Sequence, residues 1–197
     1  DIRKGNREFD EQKYEEAVEI ARQYQIPILP RGGGSSLAGQ AINQALILDF
    51  SRYMDKVLEF NPQERTVKVQ PGMVLGTMNR KLAPHGLRFG PDPASADRAT
   101  IGGVIGNNAT GAHSILYGMT HDHLQAAEVV LADASIIELK AAPLSRLDRA
   151  SKPANREAAL HDTLLKILDA NAALVHARYP KTFRNVAGYN LKALLEQ

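Results

Sequence analysis

One stretch of the sequence combines glycines and small polar residues in a pattern that suits the binding of an anion. Residues 91–130 contain five glycines, and few long side chains lie between Thr100 and Gly111. Glycine allows positive φ and lets another molecule approach the backbone closely. Successive free backbone N–H groups in such turns form concave sites for anions, phosphate above all. We therefore expect this stretch to form one wall of a ligand site, and the ligand to carry phosphate.

A second glycine-rich stretch lies earlier in the chain. Residues 30–36 read PRGGGSS, so the backbone is open to approach, while the serines add hydroxyl donors and Arg31 adds a positive charge. No G-x-S-x-G elbow surrounds the serines, which argues against a nucleophile. The alternative is a flexible turn, since a single glycine cluster is weak evidence for a site. The stretch is neither a Rossmann fingerprint nor a Walker loop, so those motifs cannot support phosphate binding here.

Apolar periodicity predicts the elements that position these stretches. Helical spacing predicts helices over residues 11–24, 74–83 and 156–179. Apolar or alternating runs predict strands over residues 26–29, 45–50, 56–60, 65–70, 124–132 and 135–139. The last two would meet at Asp133-Ala134, where a left-handed alanine would cost about 1 kcal/mol, so we expect a turn of another type. The polar residues 141–155 predict an exposed loop.

The bulk composition is that of an ordinary folded protein, with 197 residues, 44% of them hydrophobic. The order of elements predicts an α+β fold, with a first lobe over residues 1–70 and a second over residues 71–197. A net charge of +2 gives no electrostatic case for nucleic acid. Without cysteine, the chain supplies no disulfide and no iron–sulfur ligand. No apolar run approaches the roughly 20 residues of a transmembrane helix.

Several other polar residues could carry chemistry, but each has a simpler structural explanation. His113, His121 and His123 could be metal ligands, the last two on one face of a strand. No carboxylate or cysteine pattern completes such a site, so we predict no metal. Asp92 and Asp97 could form an acid/base pair, although loop carboxylates more often cap turns.

Together, the two stretches resemble the FAD-binding domain of the vanillyl-alcohol oxidase/p-cresol methylhydroxylase (PCMH) flavoprotein superfamily, the FAD-linked oxidases. The matching motifs are PRGGGSSLAGQA at residues 30–41, VQPGM at 69–73 and PDPASADRATIGGVIGNNATGAHSILYGMTHDHL at 91–124. Within the superfamily the chain most resembles the bacterial branch of glycolate oxidase, D-lactate dehydrogenase and D-2-hydroxyglutarate dehydrogenase. The tail FRNVAGYNLKALLEQ resembles members that carry a fused iron–sulfur module.

The resemblance implies a two-lobed PCMH-type domain that holds FAD between its lobes. The attachment would be non-covalent, because Ser35 stands where some members carry the His that bonds to FAD. Asp122 matches the end of the third motif. Arg31 is either a pyrophosphate partner or a turn anchor, and Tyr117 either contacts the flavin or is structural. The residues implied to bind the cofactor are Arg31, Gly32, Gly33, Gly34, Ser35, Ser36, Pro91, Thr100, Gly102, Gly103, Asn107, Ala109, Gly111, Ser114, Tyr117 and Gly118.

The resemblance also implies an FAD-dependent oxidoreductase that takes hydride from a small D-2-hydroxy acid. Electrons would leave to a quinone, a cytochrome or an iron–sulfur module. The family's substrate domain has no counterpart here, so we expect a C-terminally truncated domain, inactive alone, whose catalytic residues are unknown. We expect a cytoplasmic protein, or one bound at the inner membrane face. The alternatives on this fold are a nucleotide-binding module that never turns over, a flavin reductase of cell-wall synthesis and an ether-lipid synthase.

Overall fold

The structure is a computed structural model that describes residues 11–140, 155–182, 185 and 188–196. The described chain forms two compact units, one of residues 11–124 with 132–134, and one of the remaining described residues. The lobe boundary expected after residue 70 falls inside the first unit and stays a prediction. Most of the loop expected at residues 141–155 lies outside the described residues.

The first unit begins with a helix followed by two parallel strands. Their bounds are α1 Glu11–Gln23, β1 Ile28–Arg31 and β2 Leu46–Asp49. In the register of the parallel pair, Arg31 lies opposite Asp49. Tyr24, which the sequence places on the apolar face of the helix, lies beyond its end and is 68% exposed.

Tyr14 joins α1 to the end of β2. Its hydroxyl donates to the backbone carbonyl of Asp49 at 3.1 Å, and its ring stacks on Phe50 with centroids 4.7 Å apart. Burial, and then the Asp49 carboxylate, raises the pKa of the Tyr14 hydroxyl. These contacts fix the point where the chain leaves β2, which matters because Phe50 lines the site described below.

An antiparallel hairpin and a second helix form the main core of the first unit. Their bounds are β3 Val57–Asn61, β4 Thr66–Val69 and α2 Leu75–Leu82. The predicted inward residues Val67 and Val69 pack against this core. A 3-10 turn, Ala83–His85, follows α2, and Gly86 at φ 70° ends it. The buried core residues are Met73, Leu75, Met78, Leu82, Ala99, Ile101 and Val104.

The later glycine-rich stretch contains short helices that periodicity does not predict. They are α3 Ile101–Gly106, α4 Ser114–Tyr117 and a 3-10 turn at Thr120–His123. The expectation that His121 and His123 lie on a strand is therefore wrong. The physical reason is a side-chain cap: Asp122 Oδ2 accepts from the Met119 N–H at 2.8 Å, which favours a tight helical turn over an extended strand.

The second unit contains a hairpin and two helices. Their bounds are β5 Ala126–Val130, β6 Ile136–Lys140, α5 Arg156–Arg178 and α6 Leu191–Leu195. The strands are antiparallel, and Leu131 N–H donates to the Ser135 carbonyl at 2.9 Å, so three residues form the loop. The loop is thus of another type, as expected, yet Ala134 still takes a left-handed φ of 66°. A three-residue hairpin loop commonly ends in such a residue.

None of the helices in the described part of the chain is both long enough and apolar enough to cross a membrane.

Candidate functional site

An open cleft of about 450 Å³ lies in the first unit, between the two glycine-rich stretches. The parallel strands β1 and β2 both end at this cleft, which is where ligands bind in many α/β sheets. Arg31 is the only charged residue among those that line it in the described chain. The lining residues are Pro30, Arg31, Gly32, Gly33, Gly34, Ser35, Ser36, Gln40, Ala41, Phe50, Pro71, Ser95, Ala99, Thr100, Gly102, Gly103, Val104, Gly106, Asn107 and Ala109.

The first stretch presents unpaired backbone donors to this cleft. None of the N–H groups of residues 32–36 makes a hydrogen bond to another described residue. A Cβ on Gly32 would lie 2.0 Å from Thr100 Oγ1, and one on Gly33 would lie 2.2 Å from the Arg98 carbonyl oxygen. The glycines therefore allow this loop to pack against the second stretch, while its N–H groups remain available to an anion.

Two buried side-chain atoms of the described residues lack a hydrogen-bond partner, and both belong to residues that line the cleft. They are Arg31 Nε and Thr100 Oγ1. Thr100 is 2% exposed and precedes α3, yet its hydroxyl does not cap that helix. A buried polar atom without a partner costs about 1–3 kcal/mol. Both atoms are therefore placed to gain from a polar ligand.

The surroundings of Arg31 leave its guanidinium weakly held. Its Nε lies 3.9 Å from Asp49 Oδ2, which is an ion pair but too long for a hydrogen bond. The other carboxylate oxygen of Asp49 accepts from the N–H and the hydroxyl of Ser51, at 2.9 and 2.6 Å. Arg31 also lies beneath the glycine loop, because a Cβ on Gly34 would be 3.5 Å from its Nε. Both open interpretations of Arg31 thus remain compatible with its position.

Five of the predicted cofactor-binding residues do not line the cleft and make internal contacts instead. Ser114 is fully buried, and its Oγ accepts from the Gly111 N–H at 3.0 Å and donates to the Pro91 carbonyl at 3.5 Å. The Tyr117 carbonyl contacts His123 Nε2 at 2.8 Å. Gly118 has φ 83°, where a Cβ would meet the Asp122 carboxylate. Their predicted contact with a cofactor stays a prediction.

The histidines and loop carboxylates that were considered as catalytic or metal-binding groups make contacts at separate places in the fold. Asp92, at a left-handed φ of 53°, pairs with Arg88 and with His113 Nδ1, each at 2.9 Å. Asp97 instead faces Arg80 at 3.5 Å, so the two carboxylates do not form a pair. In the part of the chain that the structure describes, no three His, Asp or Glu side chains are grouped to hold a metal ion.

The sequence matches one protein family over most of the region that builds the cleft. The profile of the FAD binding domain family matches residues 10–140, which is more than half of the chain. The chain belongs to this family. The domain therefore binds FAD, and the cleft between the glycine-rich stretches is its candidate site.

Curated relatives carry the domain within much longer chains. D-2-hydroxyglutarate dehydrogenase of Pantoea ananatis is 34% identical over 163 residues, which are 83% of this chain and 16% of that protein. Glycolate oxidase subunit GlcD of Bacillus subtilis is 38% identical over 60% of this chain and 25% of its own. The mitochondrial D-lactate dehydrogenase [cytochrome] of Kluyveromyces lactis is 32% identical over 64% and 22%. This chain thus spans about a sixth to a quarter of their lengths.

Solved structures share the fold of the FAD-binding domain. Alkyldihydroxyacetonephosphate synthase superposes with a TM-score of 0.59 at 28% identity, over 66% of this chain and 25% of that one. 6-hydroxy-D-nicotine oxidase of Arthrobacter nicotinovorans superposes with a TM-score of 0.57 at 22% identity, over 64% and 27%. The α+β, PCMH-type fold expected from the motifs is confirmed.

The residues of the cleft fit the diphosphate of FAD. The unpaired N–H groups and the guanidinium of Arg31 can only donate hydrogen bonds, and the buried hydroxyl of Thr100 can donate one as well as accept. A diphosphate presents oxygen acceptors, so it suits this set of donors. Backbone dipoles of this kind can hold a phosphate without a cluster of lysines, in keeping with a single cation at the cleft.

Sequence reasoning missed several residues that line the cleft of the FAD-binding domain. Phe50 follows β2, and the parallel pairing of β1 with β2 is the signal that could have found it, because the ends of parallel strands meet at one edge. Gln40 is held by the Ser36 hydroxyl, whose Oγ is 2.6 Å from Gln40 Oε1. The others are Pro30, Ala41, Pro71, Ser95, Ala99, Val104 and Gly106.

Proposed function

We propose that this chain is the FAD-binding part of a flavin-dependent dehydrogenase that oxidises a small 2-hydroxy acid of the D-2-hydroxyglutarate, glycolate or D-lactate type. The observation that carries the substrate class is the identity, 32–38%, to three relatives whose names specify 2-hydroxy acids. The motifs at residues 30–41 and 91–124, which carry the resemblance to that branch, are also the stretches that form the cleft.

We assign the diphosphate of FAD to the end of the cleft where the two stretches meet. The N–H groups of residues 32–36 would donate to phosphate oxygens, together with Arg31 and the Thr100 hydroxyl. Gly102, Gly103, Asn107 and Ala109 would line the remainder of the cofactor. Ser35 has no ring nitrogen for a histidyl bond, which supports non-covalent binding. For the five predicted residues outside the lining, the internal contacts support a role in shaping the second wall.

The cofactor, when bound, supplies the acceptor for the two electrons and one hydrogen that leave the α-carbon of the hydroxy acid as hydride. The residues of this chain bind and orient it, and none of them is assigned as the base that takes the hydroxyl proton. For the electron acceptor we propose a cytochrome, a quinone or an iron–sulfur module. The name of the Kluyveromyces relative supports the cytochrome, and the resemblance of the tail supports the iron–sulfur module. We propose a cytoplasmic location or the inner face of a membrane.

An absorbance spectrum tests the proposal in two stages. The 197-residue chain is incubated with FAD, desalted and scanned, and then denatured with acid. We expect flavin bands that survive desalting and leave with the denatured protein. The native, full-length protein is then mixed without oxygen with D-2-hydroxyglutarate, D-lactate or glycolate. Loss of the flavin bands with one of these acids supports the dehydrogenase, and stable bands with all three contradict it.

A flavoprotein that does not oxidise hydroxy acids is the second candidate. The likeness to alkyldihydroxyacetonephosphate synthase, at 28% identity and a TM-score of 0.59, favours it. The same experiment separates the two, because a protein of this second kind would keep its flavin bands with every hydroxy acid. A nucleotide-binding module without turnover would also keep its flavin bands with every hydroxy acid. A turnover assay of the full-length protein with ether-lipid precursors would distinguish such a module from a synthase.

A further inference from the structure

The wall formed by the second glycine-rich stretch contains a helix that is intrinsically weak. α3 reads IGGVIG, so three of its six residues are glycine. Glycine in a helix costs about 0.5–1 kcal/mol relative to alanine, because more backbone entropy is lost on folding. Ile101 and Val104 hold one side of α3 in the core. The end of the helix, which leads into the cleft-lining residues Asn107 and Ala109, needs other restraints.

The end of α3 is closed by a residue in the left-handed conformation. Asn108 has φ 45°, its N–H donates to the Ile105 carbonyl at 2.9 Å, and the Ala109 N–H donates to the Val104 carbonyl at 2.9 Å. This pair of bonds is the Schellman motif, in which glycine is the usual left-handed residue. Glycine would therefore satisfy the backbone at position 108, and the asparagine side chain must be explained by something else.

The Asn108 side chain holds the following 3-10 turn. Its Oδ1 accepts from the His121 backbone N–H at 2.9 Å and contacts His121 Nδ1 at 3.1 Å. Because a backbone N–H can only donate, the amide oxygen must face His121, and Nδ1 must then carry a proton to donate to it. Asn108 thus fits the left-handed position, which asparagine tolerates, and adds two bonds to His121 that glycine could not make, besides a weak contact of its Nδ2 with Met119 Sδ at 4.0 Å.

A second bond joins the same two segments. Thr120 is 2% exposed, and its Oγ1 donates to the Ala109 carbonyl at 2.7 Å. Neither Asn108 nor Thr120 lines the cleft, whereas both neighbours of Asn108 do. The 3-10 turn therefore restrains this part of the wall through hydrogen bonds to Asn108 and Ala109, without itself lining the cleft.

We propose that Asn108 and Thr120 are positioning residues for the cofactor, which hold Asn107 and Ala109 in the shape that FAD requires. This inference rests on the FAD-binding part of the proposed function and is independent of the substrate. It assigns the 3-10 turn Thr120–His123 a task that the cleft geometry alone does not reveal. The turn acts by placing the backbone of residues 107–109, without touching the ligand.

Two matched sets of variants test the proposal in the 197-residue chain. Asn108→Gly keeps the left-handed backbone but loses the bonds to His121. Asn108→Asp keeps an acceptor oxygen at this place, and aspartate also tolerates the left-handed conformation. Thr120→Val removes the hydroxyl at nearly constant volume, and Thr120→Ser restores it. We expect FAD affinity to fall roughly 5- to 10-fold in each of Asn108→Gly and Thr120→Val, a change as large as the net contribution of one hydrogen bond, because FAD must then order this part of the wall as it binds. The Asp and Ser variants should bind within about twofold of wild type, since they keep those bonds.

Amide hydrogen exchange without FAD supplies a readout that does not depend on binding. In Asn108→Gly and Thr120→Val the amides of residues 107–109 should exchange faster than in wild type, while those of α2 should not change. Affinity and exchange equal to wild type in both variants would overturn the proposal. So would equal losses in the Asp and Ser variants, which would show that any change at these sites disturbs the fold. Failure of the full-length protein to oxidise hydroxy acids would refute the substrate assignment and leave these results standing.

Discussion

The two glycine-rich stretches meet at the same cleft but are held in opposite ways. The N–H groups of residues 32–36 make no hydrogen bond to other described residues. In the second stretch the N–H groups of Gly102, Gly111 and Gly118 are all bonded, to Pro71 O, Ser114 Oγ and Ser114 O at 2.8, 3.0 and 2.9 Å. The first stretch leaves its donors to the ligand, whereas the second uses most of its glycine donors to build a wall. The exception is the N–H of Gly103, near the start of α3, which makes no hydrogen bond to a described residue.

This difference shows that glycine serves two separate purposes around one ligand site. At Gly111 a Cβ would lie 2.0 Å from the Asp92 carbonyl oxygen and 2.3 Å from that of Pro91, so the missing side chain lets two segments of backbone touch. At Gly34, φ is 63° and the nearest atom to a Cβ is 3.5 Å away, so conformation rather than space requires glycine. A count of glycines cannot separate these purposes, but substitution can.

The largest contrast should come from alanine at these two positions. In Gly111→Ala the new Cβ collides with backbone atoms that cannot rotate away, and we expect a loss of about 2–4 kcal/mol in the free energy of unfolding. Gly34→Ala should cost only about 1 kcal/mol, the strain of a left-handed alanine, while it weakens FAD binding by disturbing the free N–H groups. Urea denaturation and FAD titration of both variants measure this. Equal destabilisation by the two would show that both stretches are structural walls.

A smaller contrast is expected between two buried hydroxyls. Thr100 Oγ1 has no partner among the described residues, so Thr100→Val should leave the stability of the FAD-free domain unchanged or raise it by up to about 1 kcal/mol. Its FAD affinity should fall roughly 3- to 10-fold, the worth of one hydrogen bond.

Ser114→Ala is the matched control for that substitution. Ser114 Oγ accepts from the Gly111 N–H and donates to the Pro91 carbonyl, so its removal breaks buried hydrogen bonds and should cost about 1–2 kcal/mol of stability. Thermal melts without FAD measure the two effects side by side. A destabilised Thr100→Val domain would mean that this hydroxyl serves the fold, and its assignment to the diphosphate would then lose its main support.

The sequence predicts most of the elements because their apolar periodicity agrees with their burial. The hairpin β3–β4 and the helix α2 are examples, with Val67 and Val69 packed on the core and Leu75 and Met78 buried in it. α3 could not be predicted in this way, since its glycines oppose helix formation. It forms because tertiary contacts bury Val104, which is information that a local window of sequence does not hold.

The site could be predicted only as far as backbone chemistry determines it. Glycine spacing and motif resemblance identified both walls of the cleft. They named Asn107, which lines the cleft, but gave no role to the adjacent Asn108, which takes a φ of 45° and bonds to His121 instead. They also missed Phe50, whose place at the cleft follows from strand pairing. Residues that act through a neighbour leave no signal in composition or spacing.

The smallest effect should come from Gly106, a glycine of the second stretch whose purpose the packing does not explain. It lies at the end of α3 and lines the cleft, and a Cβ there would meet no atom of the protein within 4 Å. Gly106→Ala should therefore raise the free energy of unfolding by about 0.5–1 kcal/mol, the usual gain from alanine in a helix. We expect FAD affinity to fall, because the methyl group would occupy space that the cofactor approaches. Unchanged affinity together with higher stability would place Gly106 outside the reach of the ligand. The contrast with residues 32–36 would then be sharper, and Gly103, where a Cβ would meet only Thr100 Oγ1 at 3.8 Å, would be the remaining glycine of this wall that the packing leaves open to the ligand.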